Sequence, residues 1–196
     1  EELHWNWVPL VTRKSNQEMK GEVTMLDLMI SSLRMRPDRI VVGEIRTKEH
    51  ASTLFEAMHT GHSVYGTFHA DTALQVKRRL IEPPISVPES ELAALHLIIV
   101  QYRDRRKGVR RTLEVAEVVT TDKGIDLNYL FRWHPRTDSF ENINDSIRIF
   151  NELNLHTGMT IDEIKNDLNE KNLIINWLLK YNINSINEVG RIMKIY

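Results

Sequence analysis

The sequence contains no cysteine. That excludes disulfides and thiolate-held metals, and it suits a reducing compartment. No apolar run approaches the roughly 20 residues that a membrane-spanning helix needs. There is no signal-peptide pattern, and the chain does not begin with methionine. "EELHWNW" reads as the middle of something, so a fragment of a longer protein is expected. A charge excess is also lacking. The 26 Lys and Arg nearly balance 27 Asp and Glu, for a net charge of −1. That removes any global argument for nucleic acid or membrane. With 8 Gly and 6 Pro in 196 residues, the composition is not that of a low-complexity or fibrous chain. What remains is an ordinary globular protein of one or two domains.

The first 22 residues read as a loop, a short strand and a turn at Lys20-Gly21. "VTMLDLMISSLRMRPD" follows as a helix. Thr24 can cap it, with Asp27 completing a capping box. Leu26, Met29, Ile30 and Leu33 share one face, and Pro37 ends the helix. Ile40, Val41 and Val42 form an unbroken apolar run, as in a parallel strand buried on both faces. "KEHASTLFEAMHTGH" is a second helix, striped by Ala51, Leu54, Phe55 and Met58 and stopped at Gly61. "SVYGTFHA" is a second strand. "DTALQVKRRLIE" is a third helix, capped by Asp71 or Thr72. After a proline-rich connector come an apolar strand, a basic turn around Gly108 and a returning strand.

This order predicts an α/β fold with a mostly parallel sheet and an antiparallel edge hairpin. Beyond about residue 120 the composition shifts. "LFRWHPRTDSF" predicts a small strand pair, and the chain from Ser146 onward reads as helical and Asn-rich. Two domains are expected, residues 1–120 and a small appendage over residues 121–196, with the change falling near 120–145. Ile161, Ile164, Leu168, Ile174, Ile175, Leu178 and Leu179 give the appendage an amphipathic pattern that reads as core packing.

Three groups of residues could carry chemistry. Glu44 stands two residues past the apolar run, at the carboxyl end of the predicted strand, where open α/β sheets bind ligands. It could polarise a water, hold a metal through water, or simply pair with Arg46 or Arg39. The histidine-rich stretch "HTGHSVYGTFHA" is the second. His62 and His69 are an odd number of residues apart, so they can converge only if His62 sits in the turn before the strand. Gly66 would let a backbone or ligand approach closely. His59, His62 and His69 could bind zinc with Glu56 or Asp71 as a fourth ligand. They could equally be histidines without a role, or a polar sensor of an anion. Third, "RDRRKGVRR" has six basic residues in nine. It reads as a solvated hairpin tip, with contact to acidic lipid or a partner's acidic surface as the alternative.

Taken together, "LRMRPDRIVVGEIR" and "TGHSVYGTFHA" resemble the Walker B element and His box of the type II/type IV secretion ATPases. "RRTLEVAEVV" is similar to the closing strand of their RecA-like core. The wording of "MRPDRIVVGE" looks most like the archaeal branch. The resemblance covers residues 1–120 and implies the carboxyl part of a RecA-like P-loop NTPase domain. It implies ATP hydrolysis with Mg2+, in a hexameric ring that powers protein secretion or the assembly of a type IV pilus or archaellum. It implies an integral-membrane platform protein as partner, a cytoplasmic location at the inner face of the cell membrane, and no specific nucleic acid. By match to the motifs, Glu44 would be the catalytic glutamate, with Gly43 and Arg46 in support. His62 and His69, with Thr60 and Gly61, would sense nucleotide. Glu2 would be a remnant of the family's acidic box, and no residue would bind metal directly. The family's G-x-x-x-x-G-K-[ST] loop, which cradles phosphate, does not occur in these 196 residues. This chain is therefore expected to be inactive alone. The other readings are a truncated paralogue serving as an interaction module, and a zinc-dependent hydrolase.

Overall fold

The structure is a computed structural model that describes residues 7–17 and 20–195. The chain divides into two compact units. One is Val11–Ile149. The other comprises residues 7–10 and the chain after Ile149, described as far as Ile195. The division thus falls later than residue 120, because the predicted strand pair joins the sheet of the first unit.

In the first unit, helix α1 spans Met25–Leu33. The Thr24 hydroxyl accepts from the Asp27 amide and the Asp27 carboxylate accepts from the Thr24 amide, so the predicted capping box forms. Met29 is buried, whereas Leu26 and Ile30 are exposed. The packed stripe is therefore Met25, Met29 and Leu33. Strand β1 (Arg39–Val42) leads through helix α2 (Lys48–His59) to strand β2 (Ser63–Gly66). β1 and β2 pair in parallel, from Arg39 opposite Ser63 to Val42 opposite Gly66. A helical crossover is what permits that arrangement. Ile40 and Val42 pack with Met29, Leu54 and Ala57 beneath the two strands. Val41 is half exposed, so β1 is buried on one face rather than both.

Helix α3 (Ala73–Ile81) is capped by Thr72. A short 3-10 helix over Glu89–Ala94 precedes strands β3 (Leu97–Asp104), β4 (Val109–Thr121), β5 (Gly124–His134) and β6 (Ser139–Asn142). These four form one antiparallel sheet in chain order. The expectation of a mostly parallel sheet with an edge hairpin is corrected here. Among the described residues the parallel part is two strands, and the hairpin belongs to a separate four-stranded meander. The reason is local. Strands joined by turns of a few residues can pair only antiparallel. The main core lies between this sheet, α2 and α3, around Phe55, Leu80, Leu92, Ile98, Val100, Ala116 and Val118.

Strand β4 also holds two buried acids. Glu114 accepts from the Ala73 amide (2.7 Å) at the start of α3 and from Arg132 (3.2 Å). Glu117 accepts from the Ser146 hydroxyl (2.6 Å), the amides of Ile149 (2.8 Å) and Ile147 (3.1 Å), and Asn128 (3.2 Å). The two amides lie at the start of helix α4 (Arg148–Thr157). Each acid satisfies helix-end donors that would otherwise be buried without partners. Burial works to raise the Glu117 carboxyl, but its four hydrogen bonds outweigh that and hold it at about 2.

In the second unit, helix α5 (Ile161–Lys180) starts with a Thr160–Glu163 capping box, and helix α6 spans Ile186–Ile195. Of the predicted stripe, Ile164 and Leu178 are buried, while Ile161, Leu168, Ile175 and Leu179 are exposed. Two short helices offer too little surface to cover every apolar position of a 20-residue neighbour.

Candidate functional site

Gly43 and Glu44 follow directly on β1, and Thr67 to His69 follow directly on β2. Because β1 and β2 are parallel neighbours in register, both segments leave the sheet at the same, carboxyl, end. Two contacts tie them together. The Thr67 hydroxyl donates to the Gly43 carbonyl, and the Ile45 amide donates to the Thr67 carbonyl at 3.0 Å. Gly66 matters here for its lack of a side chain. A Cβ at that position would lie 2.9 Å from Ile45 Cδ1 and 3.1 Å from Leu54 Cδ1. The close approach foreseen at this glycine is thus made by the chain's own Ile45 and Leu54.

Glu44 stands at the centre of the group. One carboxylate oxygen is paired with the Arg46 guanidinium, and the other lies 3.1 Å from His69 Nε2. The Arg46 hydrogen bond, followed by the charges of Arg46 and His69, holds the carboxyl below the usual carboxylate range against the opposing effect of partial burial. Glu44 is therefore an ionised acid at neutral pH. Its side chain is only 23% exposed, while those of Arg46 and His69 are 69% and 83% exposed. An acid fixed at a strand end beside a solvent-facing guanidinium and a solvent-facing imidazole can orient a water and meet an anion.

The rest of the histidine stretch goes elsewhere. His62 sits in the turn before β2, as expected, with Nδ1 3.2 Å from the Thr60 hydroxyl. That places it at the amino end of β2, whereas His69 lies past the carboxyl end. The strand between them alone spans on the order of 10 Å or more. His62, Thr60 and Gly61 therefore do not converge with His69 and Glu44. His59 faces Glu91, with Nε2 2.8 Å from its carboxylate. The three histidines point to three different partners, and no metal-holding group of His, Asp or Glu is found among the described residues. The zinc reading has no geometry to rest on. Glu2 lies outside the described residues.

Two contributors escaped the sequence reading. Thr67 clamps the turn that carries Glu44. Arg79, on α3, donates to the His69 carbonyl, with its guanidinium 5.1 Å from the Phe68 ring centroid. The polar character of Thr67 was visible in the sequence. Nothing in the sequence pairs Arg79 with a residue ten positions earlier.

Residues 8–122 match the family model described as type II/IV secretion system protein. The chain belongs to that family. It is 38% identical over 173 residues to an uncharacterised protein of Methanocaldococcus jannaschii, covering 86% of this chain and 63% of that protein. It is 41% identical over 73 residues to the competence protein ComGA of Streptococcus pneumoniae, covering 37% of this chain and 23% of ComGA. Among solved structures, the Legionella pneumophila ATPase DotB is similar over 50% of this chain and 28% of its own, with 29% identity and a TM-score of 0.40. The chain thus spans less than two thirds of the length of these relatives. No helix among the described residues is long and apolar enough to cross a membrane.

Proposed function

We propose that this secretion-family chain supplies the catalytic acid of an ATP-hydrolysing motor, with Glu44 as that acid. The observation that carries the reading is the Glu44, Arg46 and His69 group at the carboxyl end of two parallel strands. In α/β sheets, ligands bind at that end. The residues present fit the terminal phosphate of a nucleotide and its attacking water. Glu44 would orient the water, and Arg46 and His69 would meet phosphate oxygens. Bound Mg-ATP would supply the phosphoryl group whose transfer to water drives the motor. The cradle for the remaining phosphates is no part of this chain's 196 residues.

The electrostatics define the role of Glu44 further. An efficient general base has a pKa near the working pH. The Glu44 carboxyl is shifted the other way, by Arg46 first. Glu44 therefore acts as an ionised acceptor that aligns water through a hydrogen bond, rather than as a strong proton acceptor. Each carboxylate oxygen has one partner, Arg46 or His69, and keeps a second lone pair that can accept from that water.

The assembly completes the proposal. Copies of the full protein work as a hexameric ring at the cytoplasmic face of the membrane, docked on an integral-membrane platform protein. They power secretion or the assembly of a pilus or archaellum. Family membership supports this reading, and His69 is the sensing histidine that stands beside the acid. In the full-length protein, Glu44→Gln should still bind ATP while turnover falls by about 100-fold or more, the scale of a reactant no longer held in line. Near-normal hydrolysis by that variant would remove Glu44 from the role. This chain alone should bind Mg-ATP no tighter than about millimolar, since one or two charge-assisted hydrogen bonds supply only roughly 1–3 kcal/mol each.

A further inference from the structure

The end of the antiparallel sheet where β3 turns into β4 carries an unbalanced positive charge. Arg103, Arg105, Arg106, Lys107, Arg110, Arg111 and Arg136 all lie there, on the β3–β4 hairpin or in the turn before β6. Three acids share the region, and each is already committed. The Asp104 carboxylate accepts from the amides of Arg106 (2.9 Å) and Lys107 (3.2 Å), which shapes the turn. Asp138 is gripped by both arms of the Arg111 guanidinium at 2.7 Å and by the Trp133 indole N–H at 2.8 Å. Glu141 is 2.7 Å from His134.

Among the described residues, the remaining cations have no counter-ion. Arg103 and Arg110 stand directly opposite each other across the hairpin. Like charges in that position destabilise a sheet. Both are exposed, as are Arg105, Arg106 and Lys107 at the tip. The last rung between β4 and β5 is Glu114 opposite Arg132, so Val109–Thr112 pair only with β3 and the tip runs beyond the third strand. A chain with a net charge of −1 thus concentrates an uncompensated basic tip at one end of one sheet.

We infer that this hairpin tip is a contact surface for anionic lipid headgroups. Two observations select lipid over other polyanions. Single-stranded nucleic acid is usually held by exposed rings interleaved with cations. The one aromatic residue of the hairpin, Tyr102, is already against Trp133, with ring centroids 5.5 Å apart. Specific recognition of an acidic protein is favoured by arginines held in a bidentate geometry. Only Arg111 is fixed, and Asp138 holds it. The others are untethered, which suits a fluid surface of many interchangeable headgroups. The inference is independent of any chemistry at Glu44.

The test is co-sedimentation of the 196-residue chain with vesicles of phosphatidylcholine, with and without phosphatidylglycerol. Each basic residue near an anionic bilayer shifts partitioning roughly five-fold. Replacing Arg105, Arg106 and Lys107 with Gln should therefore weaken binding to the anionic vesicles by roughly 100-fold. Replacing the two arginines with Lys should preserve it. Replacing Lys14, Lys48 and Arg191 with Gln, which removes the same charge elsewhere, should change binding less than about five-fold. Binding should also fall steeply between about 0.1 and 0.5 M salt. Circular dichroism confirms that each variant is folded. The inference is overturned by anionic vesicles binding no better than neutral ones, or by the distant triple variant losing as much as the tip variant. Tighter binding to an oligonucleotide or to polyglutamate than to the anionic vesicles overturns it as well.

Discussion

Replacing Glu117 with Gln tests the account of how β4 is joined to the first turn of α4. The carboxylate is fully buried and accepts four hydrogen bonds. Gln keeps the shape but turns one acceptor oxygen into a donor, which must then face an N–H or O–H. The magnitude follows from the shift. The folded carboxyl sits at about 2 against an ordinary 4.5. At about 1.36 kcal/mol per unit, the ionised form contributes on the order of 3 kcal/mol. Because the folded value is depressed, this contribution is fully present above pH 4.5. It is lost as pH falls toward 2, with roughly half gone by pH 3. Urea unfolding at pH 7 should therefore show Glu117→Gln destabilised by about 3 kcal/mol. At pH 3 the gap from wild type should narrow to about 1–2 kcal/mol, because the variant lacks this titration. A cost under about 1 kcal/mol at pH 7, or a gap that stays constant down to pH 3, would refute the reasoning.

Other substitutions probe the site's support and the core. Gly66→Ala would drive a methyl group into Ile45 and Leu54, so it should cost about 1–3 kcal/mol and shift the amide resonances of Ile45 and Glu44. Unchanged stability and spectra would mean that the strand ends are not tightly packed. Phe55→Ala, at a side chain 2% exposed in the main core, should lower unfolding stability by about 3–5 kcal/mol. A loss below about 1 kcal/mol would place Phe55 outside the core.

The sequence alone determined the local elements. Thr24, Thr47 and Thr72 cap helices because a hydroxyl before a helix satisfies an amide donor wherever the rest of the chain lies. Gly61, at φ +87°, ends α2 for an equally local reason. The place of Glu44 just after a buried strand was also legible, as was the family, because motif order is a property of the chain. Sheet partnership was not legible, since hydrogen bonding between strands depends on which segments meet in space. So a mostly parallel sheet was expected where a parallel pair and an antiparallel meander exist. The helical stripe after residue 160 was read as core, but burial depends on how many neighbours are present to cover it. The pairing of Glu44 with His69, the separation of His62 from both, and the work of Thr67 and Arg79 were decided by tertiary structure. Periodicity says which face a side chain takes, but only the register of β1 against β2 sets which strand ends stand together.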